Sequence, residues 1–188
     1  MKSIALRFGL FADSHYAEMV YGDRYCRDSP AKLRACIEVF KRQELAFVVC
    51  MGDLIDKAEK WETELGYLLE MRAVFEEYEG ERPTVALCHE NLDDRMEDKV
   101  PISYAVRNAA QVRQVLEEAG NVRAVIQAHY HPGLCATIGG IAYIGLRAMV
   151  VGAGLENNAF AIAALRDDGK VELEGFGQQE SFTTGRSG

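Results

Sequence analysis

Four apolar runs, each closing on an aspartate or a histidine, constrain this chain more than any other feature. Ile4 to Ala12 leads into Asp13-Ser14-His15, and Ala46 to Met51 into Gly52-Asp53-Leu54-Ile55-Asp56. Thr84 to Leu87 leads into Cys88-His89-Glu90, and Val122 to Gln127 into Ala128-His129-Tyr130-His131. Short apolar runs bounded by turn residues predict buried strands. In a largely parallel sheet the strand C-termini share one edge, and ligands gather there. The reading therefore brings Asp13, His15, Asp53, His89, His129 and His131 to one rim. Carboxylate and imidazole together suit Mn, Fe or Zn.

The segments between the runs read as helices. Ser29 and Pro30 form an N-cap and first-turn pair, and Leu33, Cys36, Ile37 and Phe40 follow at helical spacing. Lys60 to Tyr78 and Asn108 to Gly120 carry the same period, with Gly80 and Gly120 as stops. Strand alternating with helix predicts α/β layering. The last third is different. Leu134 to Ile138 and Ile141 to Leu146 flank Gly139-Gly140, and Asn158 to Leu165 and Val171 to Phe176 flank residues 166–170, so two hairpins are expected. The expected organisation is a single domain over 1–177 with a loose polar tail over 178–188.

Composition narrows the function. A net charge of −8 argues against a nucleic-acid polymer as partner. A small phosphate-containing substrate stays open, because bound metal would supply local positive charge. No run is long enough to span a membrane, and no secretory leader is apparent. Five cysteines, an odd number without a C-x-x-C pair, predict free thiols in a cytoplasmic setting. Arg24 and Arg27 lie in a polar loop ahead of the first helix, within reach of a substrate phosphate if that loop sits at the rim. Asp56, three residues after Asp53, suits a supporting carboxylate. Such a donor set predicts hydrolysis in which metal polarises a phosphoryl oxygen and lowers the pKa of water.

The order Asp-x-His, Gly-Asp-x-x-Asp, x-His-Glu and x-His-x-His resembles the calcineurin-like metallophosphoesterases. Within them it is most similar to bacterial phosphoesterases resembling the manganese-dependent ADP-ribose/CDP-alcohol diphosphatases. The runs Tyr16-Ala17, Arg24-Tyr25-Cys26-Arg27-Asp28-Ser29, Leu146-Arg147-Ala148-Met149-Val150 and Glu156-Asn157-Asn158-Ala159 carry that likeness. The resemblance implies a layered α-β-β-α sandwich. It implies Asp13, His15 and His131 as ligands of a first metal, Asp53 as the bridging carboxylate, and His129 on a second metal. It implies His89 as general acid, with Glu90 orienting it. The chain departs from the family pattern at three places. Cys88 replaces an asparagine ligand, Ala128 replaces a glycine, and no histidine lies between His89 and His129. A central segment is thus expected to be missing near 91–101, which would leave one or two ions bound and a sheet edge open to homodimerisation.

Three readings follow. The first is a metal-dependent phosphoesterase acting on a phosphodiester, phosphomonoester or nucleotide-diphosphate bond. The second is a degenerate metal- or nucleotide-binding relic, in which Cys88 replaces the lost ligand or simply packs. The third is a structural zinc site of Cys88, His89, His129 and His131, which leaves Asp13 and Asp53 without a role.

Overall fold

The computed structural model describes residues 4–56, 63, 66–67, 70, 84–86, 90–92, 109–110, 113–114, 117, 124–166 and 170–184. Nine strands are described: β1 (Ile4–Phe11), β2 (Phe47–Cys50), β3 (Thr84–Ala86), β4 (Ala124–Gln127), β5 (Cys135–Ile138), β6 (Ile141–Gly145), β7 (Ala159–Arg166), β8 (Val171–Gly177) and β9 (Phe182–Thr183). One helix, α1 (Ser29–Lys41), is described in full.

The strands form two sheets, as the layered α-β-β-α sandwich requires, and not the one largely parallel sheet read from the apolar runs alone. The first runs β3-β2-β1-β7-β8-β9 and the second β4-β6-β5. In the first, β1 pairs in parallel with β2, and β2 with β3, while β7, β8 and β9 are added antiparallel. In the second, β4 pairs in parallel with β6, and β5 is antiparallel to β6. The apolar run ending at Gln127 therefore feeds a different sheet from the runs ending near Met51 and Ala12. Apolar runs state burial but not which neighbour a strand pairs with.

Side-chain alternation explains the layering. Phe11, Val48, Cys50, Phe160 and Ile162 face α1 and pack on Leu33, Cys36, Ile37 and Phe40. Their chain neighbours Leu10, Ala12, Val49, Met51, Ala161 and Ala163 face the other way and pack on Ala142 and Ile144 of the second sheet and on Leu146 just past it. Gly9 lies on the α1 face, where a Cβ would come within 2.7 Å of the Phe40 ring. The outer face of the second sheet places Ile138, Ile141 and Tyr143 against Leu92, and the buried Arg113 donates to the Leu92 carbonyl at 2.5 Å.

Several local expectations change. Asp28, not Ser29, is the N-cap of α1, and neither residue caps it by a side-chain bond; Ser29 Oγ instead donates to the Ser14 carbonyl. Residues 178–184 are not a loose tail. Thr183 and Phe182 pair with Glu172 and Leu173, and Gln179 is buried with its Oε1 accepting from the Arg147 amide at 2.8 Å. Both expected hairpins form, with Gly139 and Gly140 at φ of 55° and 80° in the first. Most of the 60–78 and 108–120 segments, and of the 91–101 segment, lies outside the described residues; Thr63, Gly66, Tyr67, Glu70, Ala109, Ala110, Arg113, Gln114 and Glu117 are helical.

Candidate metal centre

Three loops carry the site, laced together by backbone bonds. The loop after β1 meets the loop after β2: Asp13 N donates to Gly52 O at 3.1 Å, His15 N to Asp53 O at 2.8 Å, and Tyr16 N to Leu54 O at 3.1 Å. On its other side, Met149 N donates to Ala12 O and Val150 N to Asp13 O. The same 146–150 segment holds the loop after β4, through Leu146 N to Gln127 O and Ala148 N to His131 O. This segment is the bridge by which candidate donors from separate sheets converge.

The backbone is bent where the donors sit. Asp13, His15, Asp53 and His129 have φ of 51°, 45°, 48° and 64°, and they are the non-glycine residues with positive φ among those described. Each such residue costs on the order of 1–3 kcal/mol and persists only where its surroundings hold it.

The donors form two groups. Asp13, His15 and His131 each offer a ligand atom within 4.8 Å of the others, and so do Asp13, Asp53 and His129. Asp13 belongs to both groups and is fully buried, whereas the Asp53 side chain is 39% exposed. In the first group, His131 Nε2 is 3.3 Å from His15 Nε2, and these two atoms stand 3.6 and 3.8 Å from Asp13 Oδ1. A point equidistant from these three atoms lies about 2.1 Å from each, the length of a metal–imidazole bond. Asp53 Oδ2 is 3.3 Å from His15 Nε2, so Asp53 also borders the first group. His129 N donates to Asp13 Oδ2 at 3.4 Å. The donor set and its spacing fit a divalent cation.

Asp56 stands behind the first group. Its Oδ2 is 3.5 Å from His15 Nδ1 and also receives the Arg24 guanidinium. A carboxylate at Nδ1 favours the proton on that nitrogen and turns the Nε2 lone pair toward Asp13 and His131. Arg24 is thus occupied with Asp56, and Arg27 is exposed in a short 3-10 turn, Cys26–Asp28. Burial lowers the pKa of His131, with Asp13 acting in the opposite sense. Burial, followed by Glu70 and Glu18, raises that of Tyr16, whose hydroxyl donates to one of these carboxylates, 2.8 Å from Glu18 and 2.5 Å from Glu70. Cys88 and His89 lie outside the described residues, and Glu90 is exposed.

Lys32 is a residue that sequence reasoning missed. It is fully buried, and its Nζ donates to the carbonyls of Met149 at 2.8 Å and Gly152 at 2.7 Å. Its signal was its place on the stripe that also holds Leu33 and Cys36. A lysine there must reach an acceptor.

No family model matches the sequence, and no curated protein matches it. Solved structures do. A dimetal phosphatase from Danio rerio is 16% identical with a TM-score of 0.82, over 97% of this chain and 99% of that one. The vacuolar protein sorting 29 protein of Cryptosporidium parvum is 11% identical with a TM-score of 0.51, over 96% and 97%. The chain has the fold of the dimetal phosphatase. No helix among the described residues is long and apolar enough to cross a membrane.

Proposed function

We propose that the chain is a metal-dependent phosphoric ester hydrolase with a two-ion centre. The observation that carries this reading is the pair of three-donor groups sharing the buried Asp13. The Danio rerio neighbour is a dimetal phosphatase, which supports it. Asp13, His15 and His131 would hold one ion, and Asp13, Asp53 and His129 a second, with Asp53 bordering both. Such ions, Mn, Fe or Zn, would polarise a phosphoryl oxygen and lower the pKa of water.

The chain's own residues do the rest. Asp56 fixes the His15 tautomer and ring. The positive-φ turns hold the carboxylates and imidazoles in place before any ligand arrives, so little reorganisation accompanies binding. His89 is the general acid of this reading, steadied by Glu90, and Cys88 would add a soft donor favouring zinc. Of the two arginines in the loop ahead of α1, Arg27 is left for a substrate phosphate, since Arg24 holds Asp56. The substrate is a small phosphodiester, phosphomonoester or nucleotide diphosphate. The sequence likeness to ADP-ribose/CDP-alcohol diphosphatases favours the last. The proposed setting is cytoplasmic, and homodimerisation along the β3 edge belongs to the same proposal.

The test is phosphate or nitrophenol release after Mn or Zn loading, from p-nitrophenyl phosphate, its bis-ester and a nucleotide diphosphate. Metal-dependent turnover that disappears in Asp13→Ala is expected. Metal held tightly without turnover of any substrate would overturn the enzyme reading. It would favour the relic instead, to which Cys88 in the asparagine position already points.

A further inference from the structure

The metal groups leave a second feature at the same edge unexplained. A cavity of about 340 Å³ opens between residues 132–135, Gly145, Arg147 and residues 179–182. Its location follows from the topology. Residues 132–135 follow His131 directly, and Gly145 pairs with Gln127 at the end of β4. Gly177 at the end of β8 pairs with Ala159, which lies beside the C-terminal end of β1 through the β1–β7 ladder. The cavity therefore shares the edge that carries Asp13 and His131.

Its lining brings apolar side chains together with a few polar ones. Leu134, Cys135 and Phe182 supply apolar surface, and Arg147 and Ser181 supply donors. Ser181 Oγ accepts from Gly175 N at 3.0 Å, which leaves its own proton for an acceptor in the cavity. Gln179 fixes the Arg147 backbone by accepting from its amide. The Arg147 guanidinium makes no ion pair among the described residues; Glu180, which is exposed and also lines the cavity, forms none with it.

Two glycines give the cavity its shape. Gly133 has φ of +65°, and a Cβ there would lie 2.8 Å from Cγ of Arg147, so the arginine stem rests where a side chain would otherwise be. A Cβ on Gly145 would lie 2.7 Å from the Leu134 carbonyl oxygen. Both positions hold backbone and arginine in close approach.

We infer that this cavity receives the organic half of the substrate, and that Arg147 binds an anionic group on that half, a phosphate or a carboxylate. The assignment to substrate rests on the phosphoesterase reading; the anion site itself does not. A planar guanidinium bonds either anion in bidentate fashion, with the Ser181 hydroxyl as a further donor and Phe182 against the apolar part. The inferred substrate class is a small phosphate ester with a second negative charge beyond the scissile bond.

The test uses chelator-treated full-length protein, so metal binding does not enter. The probes are phenyl phosphate, benzoate and neutral phenol, read by calorimetric titration and by protection of Cys135 from N-ethylmaleimide in peptide mapping. Phenyl phosphate or benzoate should bind and shield Cys135 while phenol does not, and the stronger of the two identifies the anion. Arg147→Met should weaken that binding about tenfold or more, the loss of a charge-assisted bond pair, and Arg147→Lys should restore part of it. Equal binding by wild type and Arg147→Met would overturn the inference. Should Arg147→Met fail to fold, an unshielded Cys135 in the wild-type protein at saturating probe would overturn it equally. Failure of the phosphoesterase reading would show separately, as absent turnover in metal-loaded protein whose Cys135 is still shielded.

Discussion

Asp13, His15, Asp53 and His129 each occupy a backbone conformation that ordinary residues avoid, and all four belong to the two candidate donor groups. The fold meets this cost through bonds on both sides of each turn, such as His15 N to Asp53 O and Val150 N to Asp13 O. At this scale Asp56 is the residue that sets His15 without joining either donor group. Asp56→Asn keeps the shape and removes the charge, so His15 loses its tautomer control and Arg24 its partner. Metal affinity should fall about 10- to 100-fold, as for other outer partners of a metal ligand. Competition with a calibrated chelator measures it, and an unchanged affinity would remove Asp56 from the centre.

Among the elements, α1 and the 146–152 segment act together. Lys32 reaches from α1 to the carbonyls of Met149 and Gly152, and Met149 and Val150 in turn bond to Ala12 and Asp13. Lys32→Met would leave buried carbonyls without a donor, costing about 2–3 kcal/mol. Urea unfolding should show that loss, and manganese retention should fall with it although no ligand has changed. The sequence displayed α1 well, since Leu33, Cys36, Ile37 and Phe40 recur at helical spacing. It displayed both hairpins too, through Gly139-Gly140 and the polar turn at 166–170. Lys32 was not legible as a clamp, because its acceptors lie more than a hundred residues away. The role of Ser29 was hidden for the same kind of reason: a hydroxyl before a helix suits a cap, and only the tertiary contact with Ser14 decides otherwise.

For the whole molecule, the aspartates and histidines were legible as a set, because each follows an apolar run. Their convergence across two sheets was not, since pairing partners leave no mark in one strand's own composition. The docking of residues 178–184 was equally hidden in a polar stretch whose one large apolar residue is Phe182. Burial of the thiols has a consequence for the whole fold. It raises the pKa values of Cys26, Cys36 and Cys50 above 9.0, that of Cys50 to about 11. Between those values the unfolded chain has lost protons that the folded chain keeps, so stability falls as pH rises from 9 toward 11. Cys50 alone should contribute a loss on the order of 2 kcal/mol near pH 10.5. Urea unfolding at pH 8 and 10.5 tests this, with Cys50→Ala expected to show a flatter profile and an equal slope in both proteins contradicting it.

The shared carboxylate is the central claim, and metal content per chain tests it most directly. After manganese loading and desalting, elemental analysis should find two equivalents in the wild type, one in His131→Ala and close to none in Asp13→Ala. No metal in the loaded wild type, or the same content in Asp13→Ala, would contradict the account.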